Sequence, residues 1–202
     1  MANANKPMGL SPHSYLSGAK WTGQGTVYCI PTSDSTNKYA IGDPVALAGS
    51  ADAAGIPTVV LATAGASNAF LGPIVGIGKA VYGGAVNGSL GQFDSTVIPA
   101  AKATAYYVLV ADDPNIIFEV QEGGAGTALA AADVSLLINL LSGADNGFSS
   151  GWLIDNNSKA TTSTYQLQLL RLAQKSDNTF GAFAKWLVRI NNHNFRAGTA
   201  GV

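Results

Sequence analysis

The sequence predicts a mainly β protein: an antiparallel sandwich, jelly roll or barrel with one short helix and an extended N-terminal arm. Three observations carry this expectation. Short runs of β-branched and aromatic residues are separated by Gly, Pro, Asn and Asp turn signals along most of the chain. Only residues 128–133 have the unbroken composition of a helix former. Charged residues make up 11% of the 202, against about a quarter in an average soluble domain, and there are 24 glycines.

Taken in order, residues 1–25 mix Pro, Gly, Ser and Asn with two isolated rings, Tyr15 and Trp21. They read as an irregular arm able to reach across a neighbouring subunit, the two rings favouring a docked arm over a frayed end. Residues 26–202 form the β-rich domain. Its first strand is Val27-Tyr28-Cys29-Ile30, stopped by Pro31 and a polar turn at 32–37. Asp43-Pro44 supplies turn chemistry ahead of the apolar run that begins at Val45. Residues 57–63 and 72–78 read as strands, the second with glycines that suggest bulges or close backbone approach. Residues 106–110 and 116–121 flank Asp112-Asp113-Pro114-Asn115 and make the best hairpin candidate.

Gly123-Gly124-Ala125-Gly126 is a hinge or loop and a possible sub-domain boundary, after which Thr127 is placed to cap the helix at 128–133. From Val134 the pattern suits helix or strand. Three further β runs follow at 151–154, 164–172 and 186–191, with Leu167 and Leu169 on one buried face.

The composition also narrows function. A net charge of −1 with scattered basic residues argues against a nucleic-acid binder; the densest group, Arg171, Lys175, Lys185, Arg189 and Arg196, is thinly spread. No run reaches the roughly 18 apolar residues of a membrane span, and the N-terminus lacks a signal-peptide core. A surface so poor in charge suits a subunit covered by partners.

Reactive chemistry is sparse. Cys29 stands alone in an apolar run, which excludes an intrachain disulfide and reads as a small buried hydrophobe. His13 and His193 lie far apart, so a zinc site would need a subunit interface, and His193 reads as a surface or interface histidine. There is no Gly-x-Ser-x-Gly elbow. Gly76-Ile77-Gly78-Lys79 lacks phosphate-loop spacing, and Ala80 stands where the hydroxyl belongs. Asp112 and Asp113 read as turn caps, with calcium binding alongside Glu119 and Glu122 the remote alternative. Asn87-Gly88-Ser89 and Asn156-Asn157-Ser158 match the glycosylation pattern but read as polar loops. Trp21, Trp152, Trp186, Tyr106, Tyr107 and Phe118 read as core or interface anchors. No catalytic, cofactor-binding or metal-ligating residue is nominated, and no cofactor is expected.

Three stretches nonetheless resemble a family of tailed-phage virion structural proteins. The first is Lys6-Pro7-Met8-Gly9-Leu10 with Trp21-Thr22-Gly23-Gln24-Gly25. The second, and the most specific, runs from Ala105 to Glu122, with Val110-Ala111-Asp112-Asp113-Pro114-Asn115-Ile116-Ile117-Phe118-Glu119 carrying most of the weight. The third covers Asp155-Asn156-Asn157 through Thr161-Thr162-Ser163-Thr164, then Lys185-Trp186-Leu187-Val188-Arg189-Ile190-Asn191-Asn192-His193. The resemblance implies a capsid decoration or cement protein, made in the bacterial host cytoplasm and bound to the outer surface of the virion. The implied partners are the major capsid protein and further copies of the chain as a homodimer or homotrimer, with no membrane and no direct nucleic acid. It implies no catalytic residues. Other expectations of different class are a shell-forming or head-fibre protein, which copy number per particle separates, and an enzyme or ligand-binding β-sandwich, which requires a deep pocket with convergent polar groups.

Overall fold

The computed structural model describes residues 3–79, 96–196 and 198. The chain is mainly β, and its strands sort into a closed barrel and an antiparallel sheet. In chain order they are β1 (Ser11–Tyr15), β2 (Thr26–Ile30), β3 (Tyr39–Ala40), β4 (Pro44–Ala51), β5 (Pro57–Leu61), β6 (Gly72–Lys79) and β7 (Val97–Ile98). Then come β8 (Tyr106–Val110), β9 (Ile116–Gln121), β10 (Leu137–Ile138), β11 (Leu140–Leu141), β12 (Leu153–Ile154), β13 (Leu167–Leu172) and β14 (Lys185–Ile190).

The barrel runs β2-β5-β4-β6-β8, and a parallel contact between β2 and β5 at Cys29 and Thr58 closes it. Closure removes the exposed edges that an open sheet of these strands would carry. Its interior is filled by Tyr28, Ile30, Val45, Val59, Ile74 and Val108, every second residue of the wall. The β3-β7 ribbon brings Tyr39 and Ile98 into this core, both with no exposed surface. The glycines of β6 act as expected: the register shifts between Ile74 and Gly76, and a Cβ on Gly72 would strike the Ala111 carbonyl.

The second layer is a five-stranded sheet in the order β1-β9-β14-β13-β10. Its inner face carries Phe118, Leu167, Leu169 and Trp186, which pack with Phe70 and with the partly buried Ala46, Leu61 and Val75 from the barrel. Each such large side chain removed from water contributes roughly 2–3 kcal/mol. Leu61 touches both cores, so barrel and sheet share one packed junction. Leu167 and Leu169 share a buried face, as their spacing implies, and Cys29 is buried at 1% exposure.

Two expectations are corrected. Residues 106–110 and 116–121 do not form a hairpin, because β8 pairs with β2 and β6 in the barrel while β9 pairs with β1 and β14 in the sheet. The Asp-Asp-Pro-Asn turn is the crossing between the layers. Asp113 still caps it by accepting the Asn115 amide at 2.8 Å, but turn chemistry fixes a reversal and not which partner the next strand finds. Barrel therefore passes to sheet at residues 111–115, ahead of the glycines at 123–126.

The described part of the N-terminal segment is docked on its own chain. Asn3 exchanges hydrogen bonds with Thr179, the Lys6 amide donates to Gln121 Oε1 at 2.9 Å, and β1 is the edge strand against β9. Gly9 and Gly42 interlock where this segment crosses the barrel. Both have positive φ, and a Cβ on Gly42 would strike the Met8 carbonyl. The second correction is the helix at 128–133, which reduces to one 3-10 turn, Ala131–Asp133, and the cap is Asp133, whose carboxylate accepts the Ala130 amide at 2.9 Å. Thr127 instead offers its carbonyl to Asn156. The stretch from Val134, which suits helix or strand by sequence, continues as a turn and then forms strands β10 and β11.

Candidate functional site

The residues singled out by sequence do not converge. Asp112 accepts the Tyr28 hydroxyl at 2.8 Å, Glu119 pairs with Lys175 at 2.6 Å, and Glu122 is sealed in the core, so the calcium reading fails for want of a shared cavity. Among the described residues no three His, Cys, Asp or Glu side chains gather. Gly76-Ile77-Gly78-Lys79 is barrel strand with its backbone paired to β8, whereas a phosphate cradle needs free amides. Ala80 and Asn87-Gly88-Ser89 lie outside the described residues. Asn156 is buried, donating to the Thr127 carbonyl at 3.0 Å, and so is not an exposed loop amide. His13 is exposed beside Ser14.

His193 is a further correction: it is 3% exposed at the junction of the layers, bridged to Phe70. Its Nδ1 accepts the Phe195 amide at 3.0 Å, which leaves the ring proton on Nε2. Nε2 has no hydrogen-bond partner in the protein. Burial holds this imidazole below the usual histidine range, with Arg196 adding in the same direction and Asp112 opposing.

Two further buried polar side chains tie the interior together, and neither is distinctive in sequence. Gln166 uses its whole hydrogen-bonding capacity. Its Oε1 accepts the Gly65 and Leu140 amides at 2.9 and 3.1 Å, and its Nε2 donates to the Thr63 and Asn68 carbonyls, each at 2.9 Å. It thus stitches the β5–β6 connection of the barrel to the sheet. Glu122, with no exposed surface, accepts the Leu129 amide and the Trp186 indole N–H on Oε2, both at 3.1 Å. Its Oε1 has no hydrogen-bond partner in the protein, and burial pushes the carboxyl up to about 7. The sequence signal that was available is a Glu directly after the apolar strand Ile116–Gln121 and directly before glycine.

The outer surface is more informative than these interior groups. An open groove of about 290 Å³ lies where the N-terminal segment crosses the barrel, walled by Met8, Leu10, Pro12, Trp21, Ile41 and Val75. Ser149 forms one lip, and the next residue in the chain, Phe148, is 75% exposed. Short side chains of the Phe148 loop bond its own backbone. Asn146 Oδ1 accepts the Phe148 and Ser149 amides at 3.0 and 2.9 Å, and Asp145 Oδ1 accepts the Gly147 amide at 3.0 Å. Beyond Trp21 the surface continues as a second open depression bordered by Leu16, His13, Lys20 and Arg171. Phe180 and Phe195 are 51% and 58% exposed elsewhere on the chain. Exposed large apolar groups grouped on a face mark contact surfaces more often than chemistry.

No protein-family model matches the chain, and no curated protein or solved structure matches it either.

Proposed function

We propose that this chain is a virion structural protein of a tailed phage, bound to the outside of the capsid and clamping neighbouring capsomers together. Its partners are then the major capsid protein and further copies of itself. The observation that carries this reading is the outward display of Phe148, Phe180 and Phe195 on separate loops of a chain with only 11% charged residues. Each exposed ring forgoes roughly 2 kcal/mol of burial, which a contact with a neighbour recovers. The resemblance of residues 110–119 to tailed-phage virion proteins supplies the identity of that neighbour.

The physics of a clamp agrees with such a scaffold. A clamp works through area at several modest contacts, and simultaneous engagement multiplies them by effective concentration. Closed strands and a packed junction give a rigid body on which such contacts stay in register. The test is to prepare shells with and without the protein and expose both to heat and osmotic shock. Longer survival of decorated shells is expected; equal survival would remove the clamping role.

A further inference from the structure

We propose that the face holding the 290 Å³ groove is a two-fold interface between copies of this chain, each Phe148 seating in the groove of the other copy. This rests on the reading of the chain as an assembly subunit and names one of its contacts.

Three features point to a second copy as the occupant. First, a knob and a hole lie side by side on one surface: Phe148 is 75% exposed, and its neighbour Ser149 is the lip of the groove. A cavity of roughly 150 Å³ already accommodates a benzene ring, so the groove has room for a phenyl side chain. Second, apolar exposure concentrates around this face, where Met8 at 47% and Leu16 at 45% flank Trp21 and the groove. Third, charge is distributed in a self-complementary way. The Phe148 loop carries Asp145, while Lys20, Arg171 and His13 border the depression beyond Trp21. A two-fold axis through the groove region brings the acidic loop of each copy toward the basic border of the other, the arrangement an isologous contact requires. The loop bonds described above engage the backbone amides of Phe148 and Ser149, which lowers the backbone ordering needed when the ring docks.

The test is sedimentation equilibrium on the full chain, free of shells, from low to high micromolar concentration. Wild type is expected to dimerise. Phe148→Glu is expected to lose about 100-fold or more in dimer affinity, since two phenyl burials are removed at once. Val75→Trp, which fills the groove, is expected to lose a similar factor. Mixing these two variants restores one intact knob and one intact groove, so heterodimers are expected from two chains that do not self-associate. If Val75→Trp does not fold, Met8→Trp fills the groove from its exposed rim. A monomeric wild type, a dimer that survives Phe148→Glu, or a mixture that stays monomeric would each overturn the pairing. A groove reserved for a capsid-protein segment gives the first of these results. Because shells are absent, failure here leaves the clamping role standing, and equal shell survival leaves this pairing standing.

Discussion

Replacing Glu122 with Gln isolates the energetic consequence of a carboxyl sealed beside Trp186. In the folded chain this group has no exposed surface, two N–H donors on Oε2 and none on Oε1. Burial raises it from 4.5 to about 7. Ionising it inside the protein therefore costs about 3 kcal/mol more than ionising it in the unfolded chain, at about 1.4 kcal/mol for each tenfold change in proton affinity. The sign follows from linkage. Below pH 4.5 the carboxyl is neutral in both states. Between 4.5 and about 7 the unfolded chain releases the proton and the folded chain keeps it, so stability falls as pH rises, and the loss is complete above about 7. Gln reproduces the neutral acid, offering an oxygen to Leu129 and Trp186 without the titration. Urea unfolding followed by tryptophan fluorescence at pH 4, 6 and 8 gives the stability of both proteins. The variant is expected to match wild type within about 1 kcal/mol at pH 4 and to exceed it by about 3 kcal/mol at pH 8. Taking the difference cancels the contributions of His193 and Asp43, whose partners Glu122→Gln does not touch. A difference that is the same at pH 4 and pH 8, or one that grows in favour of wild type, would refute the argument.

Two further outcomes follow from the junction. Gln166→Leu keeps the volume but strips partners from two amides and two carbonyls; a loss of about 4 kcal/mol is expected in urea unfolding, and a loss under about 1 kcal/mol would show that water replaces those bonds. His193 has its proton affinity lowered from 6.5 by burial, so the unfolded chain takes up a proton that the folded chain refuses and stability falls as pH drops below 6.5. His193→Gln is expected to flatten that acid limb, read as melting temperature against pH; an unchanged limb places the acid sensitivity elsewhere.

Strand positions were legible because β-branched runs and their stops are local. Thr26–Ile30, Pro57–Leu61, Gly72–Lys79 and Lys185–Ile190 lie where the punctuation puts them. The alternation at Leu167 and Leu169 identified a buried face. The candidate groove was not legible, since its walls come from residues 8–12, 21, 41–42, 74–75 and 149. Nor were the burials of His193, Glu122 and Gln166, each of which looks like a surface residue until the layer above it is known.

By itself, the sequence determined the β class of this protein, the places where strands begin and stop, and the solitary, buried character of Cys29. Tertiary structure alone decided that β8 joins a barrel while β9 joins a sheet, and that residues 3–25 lie along their own chain. The division has a physical cause. Propensity and turn chemistry act over a few residues, whereas β pairing and burial are settled by partners about a hundred residues away, such as β1 with β9, whose identity no local pattern encodes.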